Sequence, residues 1–192
     1  MARVRDQGLY GVASLAAGGA LKAAQVGLSE PCFGLIRPPG HHASADSAWG
    51  FCFFNNMAVA LTALKQKGLI QSAYVLDIDL HYGDGTVNIL GRKDWVRVHN
   101  VEARHSQAYL DEVAQEMDLC RAGLIGISAG FDLHEDDWGG CLKTEDYFEI
   151  GRLVRSASER NQGGCFAILE GGYNHAVLGR NVLALVEGMS QT

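Results

Sequence analysis

The 192-residue sequence has no apolar run close to the roughly 20 residues that cross a bilayer. Its first residues, from Met1 through Arg3 and Arg5 to Gln7, are charged and lead into Gly- and Ala-rich sequence, without the compact apolar stretch of a secretory signal. It also lacks a Lys/Arg cluster. Sixteen basic residues against twenty-two acidic ones give a net charge of −6, which argues against direct nucleic-acid binding and leaves basic substrates open. None of the five cysteines (Cys32, Cys52, Cys120, Cys141, Cys165) forms a CxxC pair, and their number is odd. They read as free thiols in a reducing, cytoplasmic compartment. No Gly-rich run is followed by Lys-Ser or Lys-Thr, so a P-loop is excluded. Internal repeats, low-complexity tracts and linkers are absent too.

What is present is ordinary globular composition, 47% apolar and 20% charged, over a length that suits one domain with a sizeable core. Short β-type runs alternate with helical patterns. The strand candidates are Phe33–Arg37, Ala73–Ile78, Trp95–Val98, Leu124–Ser128 and Cys165–Leu169, mostly continuous apolar runs of the kind buried on both faces. Helical patterns cover 7–27, 55–67, 106–119, 144–160 and 176–189. Asn55 or Asn56 is placed to cap the second, and Tyr147, Ile150, Val154 and Ala157 form one face of the fourth. This alternation predicts an α/β protein with a mainly parallel sheet.

Open parallel sheets bind ligands beyond the carboxyl ends of their strands, so the residues just after each strand carry the most information. After the first comes Pro38-Pro39-Gly40-His41-His42. The second runs out through Asp77, Asp79, His81 and Asp84. The fourth is followed by Gly130-Phe131-Asp132, and the fifth by Glu170-Gly171-Gly172-Tyr173. Asp79 and His81, two apart in extended chain, point the same way and with Asp132 make three metal ligands, leaving a position open for water. Two carboxylates and one imidazole suit Zn2+, with Fe2+, Co2+ or Mn2+ as alternatives. Asp77 and Asp84 remain to orient His41 and His42, and Tyr173 on its Gly-Gly turn can donate to a developing oxyanion. The blander reading is that these aspartates form turns, as Asp84-Gly85 can. Burying them inside an apolar strand is costly, however, unless they are paired or metal-bound. Together the set predicts metal-assisted hydrolysis of an amide or ester.

Five segments, RPPGHHA (37–43), GFCFFNN (50–56), LDIDLHYGDGT (76–86), SAGFD (128–132) and EGGYN (170–174), resemble the histone deacetylase and acetylpolyamine amidohydrolase family in content, order and approximate spacing. The resemblance implies a three-layer arginase/deacetylase-like α/β fold and zinc-dependent removal of acetyl groups from lysine side chains or polyamines through a metal-activated water. By position it makes Asp79, His81 and Asp132 the metal ligands and His42 the general base, backed by Asp84. His41 becomes an electrostatic partner held by Asp77, and Tyr173 the group that polarises the acyl carbonyl. Gly50, Phe51, Trp138 and Gly172 would line the acyl-amine channel.

The sequence departs from that pattern in three places. Family domains are longer before the first helix, so the single 1–192 domain is expected to lack N-terminal edge elements of the sheet, either as a fragment or as a minimal member that covers the open edge by self-association as a homo-oligomer. The segment Val101–Gln107 has no counterpart of the aromatic stretch that forms the channel's second wall. Arg97 aligns with a serine of the family's monovalent-cation site, where a guanidinium would repel and replace K+. Two other readings stand beside the enzyme: a catalytically inactive binding module with an inherited pocket, and a two-manganese ureohydrolase. The spacing of His134, Glu135, Asp136 and Asp137 does not support the second. His99, His105, His134 and His175 are expected to be structural or exposed.

Overall fold

A computed structural model describes residues 7–191; residues 1–6 and 192 of the expected domain lie outside the described residues. The elements run α1 (Gln7–Val26), β1 (Cys32–Gly34), α2 (Asn56–Gln66), β2 (Ala73–Asp77), α3 (Asp84–Leu90), β3 (Val96–Asn100), α4 (Ser106–Leu119), β4 (Leu124–Ala129), α5 (Thr144–Arg160), β5 (Gly164–Leu169) and α6 (His175–Met189). The five strands form one parallel sheet in the order β1-β5-β4-β2-β3. Every residue of β2, β4 and β5 is buried, because helices cover both faces of the sheet.

Alternate residues of each central strand serve different layers. Val75, Leu124, Phe166 and Ile168 pack with Ala20, Ala24, Met57, Leu61 and Leu64 of α1 and α2. Leu76, Ile125, Ile127 and Ala167 pack on the opposite face with Tyr109, Val113, Tyr147, Ile150, Val154 and Leu185 of α4, α5 and α6. The result is the expected three-layer α/β architecture. The predicted stripe on α5 is fully buried, and each of its large apolar side chains is worth about 1.5–3 kcal/mol of burial. At the start of α2 the cap is Asn55, whose side chain accepts from the Ala58 N–H.

Three local expectations are corrected. The first strand stops at Gly34, and Leu35 is 74% exposed. Its ladder with β5 covers only Cys32 to Gly34, and Pro38 and Pro39, which carry no N–H, follow soon after. The third strand lies at Val96–Asn100, displaced toward the site, because its pairing with β2 sets Val96 opposite Ala73 and Asn100 opposite Asp77. The helix α3, which no sequence pattern suggested, takes up the stretch after the metal-loop aspartates. It is only seven residues long and contains Gly85, a poor helix former in the interior. Among the described residues, β1 and β3 each have one sheet neighbour and form the two edges.

Candidate metal centre and acid–base site

Five segments converge at the carboxyl edge of the sheet. Asp79 and His81 follow β2, Asp132 follows β4, and their ligating atoms all lie within 4.8 Å of one another. Asp79 and Asp132 are 5% and 0% exposed, whereas His81 is partly open. Backbone groups hold both carboxylates. Asp79 Oδ2 accepts from the Gly171 N–H at 2.8 Å, and Asp132 Oδ1 accepts from the Leu80 N–H at 3.0 Å. The other Asp132 oxygen, Oδ2, is buried and accepts no hydrogen bond, although His81 Nδ1 lies 2.9 Å away. Burial and the charge of Asp79 push the Asp132 carboxyl up to about 7. An orphaned carboxylate oxygen, a second buried carboxylate and an imidazole facing one point fit a divalent cation, which would supply the missing partner and offset the repulsion. Close backbone approach requires Gly130: a Cβ there would collide with the Asp79 carboxylate.

Two imidazole–carboxylate pairs stand beside this cluster. His41 Nδ1 is 3.1 Å from Asp77 Oδ2 and His42 Nδ1 is 2.8 Å from Asp84 Oδ1, with the two imidazole rings 4.0 Å apart. Burial works against a charged His41, but Asp77, Glu170 and Asp79 around it outweigh that and raise it to about 10. Burial and the neighbouring His41 charge lower His42. The adjacent histidines are thus driven apart, one held protonated and the other held neutral. Asp84 sits in the first turn of α3, where the helix N-terminus favours a carboxylate.

A cavity of about 160 Å³ opens over these groups, lined by His41, His42, Phe51, His81, Trp138 and Tyr173 among others. Gly50 also lines it, with φ +60 and an added Cβ only 3.2 Å from His42 Cδ2. Trp138 stacks on Tyr173 with ring centroids 3.9 Å apart, and Phe51 lies 6.2 Å from the same ring on centroids. Burial and the two metal-site carboxylates push the Tyr173 phenol up to about 12. A larger groove of about 740 Å³ along α2 holds none of the ligating side chains.

Two expected site positions are corrected. Gly171, not Gly172, faces the cavity; Gly172, with φ +130, backs onto Leu178 and Phe131. Arg97 is not at the metal loop. Its register sets it opposite Tyr74, and its guanidinium pairs with Glu116 at 2.9 Å. Asn100 instead faces the loop, accepting from the Gly83 N–H at 2.7 Å. No residue of Val101–Gln107 lines the cavity, where Trp138 and Trp49 supply aromatic surface beside Phe51.

Sequence reasoning missed three residues or left them undecided. Trp49 stacks on His42. Asp137 Oδ2 accepts from the Tyr173 and Asn174 N–H groups, both at 2.8 Å, and so pins the tyrosine turn. Glu170, 0% exposed, accepts from the Gly40 and His41 N–H groups at 2.7 and 3.1 Å. The signal for Asp137 was its place in the acidic run 135–137. The signal for Glu170 was a carboxylate directly after a buried strand. Among the remaining histidines, His134 is buried, with its Nδ1 accepting from the Asp136 N–H at 3.1 Å, and His99 pairs with Glu112 at 2.8 Å. His105 and His175 are exposed.

Fold and site together define a three-layer α/β protein with a candidate mononuclear metal centre at its strand ends. A family model described as the histone deacetylase domain matches residues 4–109 and 99–189, and the chain belongs to that family. It is 31% identical to a histone deacetylase-like amidohydrolase of Pseudomonas aeruginosa, covering 95% of this chain and 59% of that protein. It is 30% identical to a probable deacetylase of Methanothermobacter thermautotrophicus, covering 94% and 65%. A crystal structure of acetylpolyamine aminohydrolase from Burkholderia pseudomallei matches with a TM-score of 0.75 at 24% identity, over 92% of this chain and 60% of that one, which shows the shared arginase/deacetylase-like fold. The chain spans about three-fifths of the length of these two curated relatives. No helix among the described residues is long and apolar enough to cross a membrane.

Proposed function

We propose that this chain forms a single catalytic domain, a metal-dependent amidohydrolase that removes acyl groups from acyl-lysine side chains or acylated polyamines. The observation that carries the reading is the meeting of Asp79, His81 and Asp132 within 4.8 Å, directly beside the His41–Asp77 and His42–Asp84 pairs. A Zn2+ held by those three ligands, or Fe2+, Co2+ or Mn2+ in its place, would lower the pKa of a water and polarise a carbonyl.

The chain's own groups divide the remaining work. With Nδ1 held by Asp84, His42 has Nε2 left to take a proton from the attacking water and return it to the leaving amine. The charged His41 favours the anionic transition state. The Tyr173 phenol stays protonated at neutral pH and donates to the developing oxyanion. Phe51 and Trp138 provide an apolar wall for an alkyl chain.

The test is hydrolysis of a panel of acetyl-lysine peptides and acetylpolyamines by the zinc-loaded chain, with Tyr173→Phe as control. Turnover that disappears in the control supports the reading. One metal bound per chain with no turnover supports the inactive binding module, a reading favoured by the absence of every residue of Val101–Gln107 from the cavity lining. The ureohydrolase needs a second metal. Among the described residues there is one such ligand cluster, while Asp136 and Asp137 engage Arg180 and the 173–174 backbone.

A further inference from the structure

Trp49 is 53% exposed, so burial does not explain its position. Its contacts are to the His42–Asp84 pair. The indole stacks on the His42 ring with centroids 3.7 Å apart and planes at 28°. Its Nε1–H donates to Asp84 Oδ2 at 2.9 Å, while the other oxygen of the same carboxylate lies 2.8 Å from His42 Nδ1. Indole, imidazole and carboxylate thus close a three-membered ring of contacts. The turn that allows it is local: Gly50, with φ +60, follows Trp49, and the Cys52 N–H donates to the Trp49 carbonyl at 3.2 Å.

We propose that Trp49 is a positioning residue that clamps the His42–Asp84 pair, fixing the rotation of both side chains and holding Nε2 of His42 toward the cavity. The proposal rests on the function proposed above, in which His42 is the general base. Three physical effects combine in the clamp. The Nε1–H bond engages the Asp84 oxygen that His42 does not use, which opposes rotation of this partly exposed carboxylate. The indole face restricts the imidazole to one plane. When His42 carries the proton during turnover, the aromatic face is favourably placed for the cation. Seven aromatic side chains line the cavity, His41, His42, Trp49, Phe51, His81, Trp138 and Tyr173, and of these Trp49 and His42 are hydrogen-bonded to Asp84.

The test has one arm that needs no turnover. In the full chain, the carbon-bound ring protons of His42 should lie upfield from the indole ring current and move downfield in Trp49→Ala. The Trp49 indole N–H signal, identified by its loss in Trp49→Phe, should shift and exchange faster with water in Asp84→Asn, while those of Trp95 and Trp138 hold. An unshifted His42 ring together with an indole N–H indifferent to Asp84→Asn overturns the clamp. In the second arm, Trp49→Phe keeps a stacking ring but loses the donor. We expect kcat to fall about threefold to tenfold in Trp49→Phe and about 10²-fold in Trp49→Ala, within the roughly 10²–10⁴-fold supplied by a positioned acid–base group. The phenyl ring should therefore rescue part of the loss, with thermal stability unchanged. A loss confined to KM, or equal in both variants, makes Trp49 a cavity wall and overturns the proposal. A wild-type chain without turnover refutes the enzymatic reading instead, and the spectra still decide the clamp.

Discussion

The indole of Trp138 lies nearly parallel to the phenol ring of Tyr173, with centroids 3.9 Å apart and planes at 14°. Together with Asp137, which accepts from the Tyr173 N–H, this stack holds the phenol from both backbone and ring. Tyr173→Phe keeps the stack and removes only the hydroxyl. Metal content should be unchanged while turnover falls roughly 10²–10³-fold, as for loss of one oxyanion donor. Steady-state kinetics with metal analysis checks this, and unchanged turnover removes Tyr173 from the reaction.

Asp132→Ala should abolish tight metal binding, because the two remaining ligands lie on the single loop after β2 and the segment after β4 no longer contributes. Wild-type chain should bind one Zn2+ and the variant close to none, read by titration calorimetry and elemental analysis. Full occupancy in the variant would mean that another residue is the third ligand.

Glu170 gives a pH dependence with a definite sign. Burial, opposed by the His41 charge and two backbone donors, raises its carboxyl to about 7 from the ordinary 4.5. A raised folded-state value means that the folded chain holds the proton more tightly. The stability contribution is therefore present in full below pH 4.5 and is lost as pH rises through 7. The whole effect is about 3 kcal/mol at most. Glu170→Gln keeps an acceptor oxygen for the Gly40 and His41 N–H groups without burying a charge. Its denaturation midpoint should vary less than wild type between pH 5 and 8, and at pH 8 it should equal or exceed wild type. Destabilisation of the variant that grows toward pH 8 would show that the carboxylate charge stabilises the loop.

Gly50→Ala meets two obstacles at once, a left-handed backbone and a Cβ 3.2 Å from His42 Cδ2. It should cost about 1–2 kcal/mol from the backbone alone. It should also lower kcat by moving His42. Urea denaturation and kinetics check the two effects separately, and a variant of wild-type stability would show that the turn can relax.

Much of the site was legible because of how parallel sheets are built. Strands β2, β4 and β5 announce themselves as continuous apolar runs, and a carboxylate directly after such a run has to be paired or metal-bound. That logic points to Asp77, Asp79 and Asp132. It failed where the decisive fact was register. Alignment along the chain puts Arg97 at the metal loop, but the β2–β3 ladder sets it opposite Tyr74 and gives Asn100 to the loop. It also failed at α3, where seven residues with glycine beside and within them carry too little periodicity to read.

The sequence by itself determined the layers and the chemistry: which segments are strands, which helix faces are apolar, and which side chains reach the carboxyl edge. These follow from local periodicity and from the cost of burying polar groups, both of which act within a few residues. Only the tertiary structure decided the supporting contacts. Trp49 reaches across 35 positions to Asp84, Asp137 crosses 36 to the Tyr173 N–H, and Glu170 closes on the backbone of Gly40 from 130 positions away. No local pattern records such pairings, because each depends on two loops meeting only after the sheet has assembled.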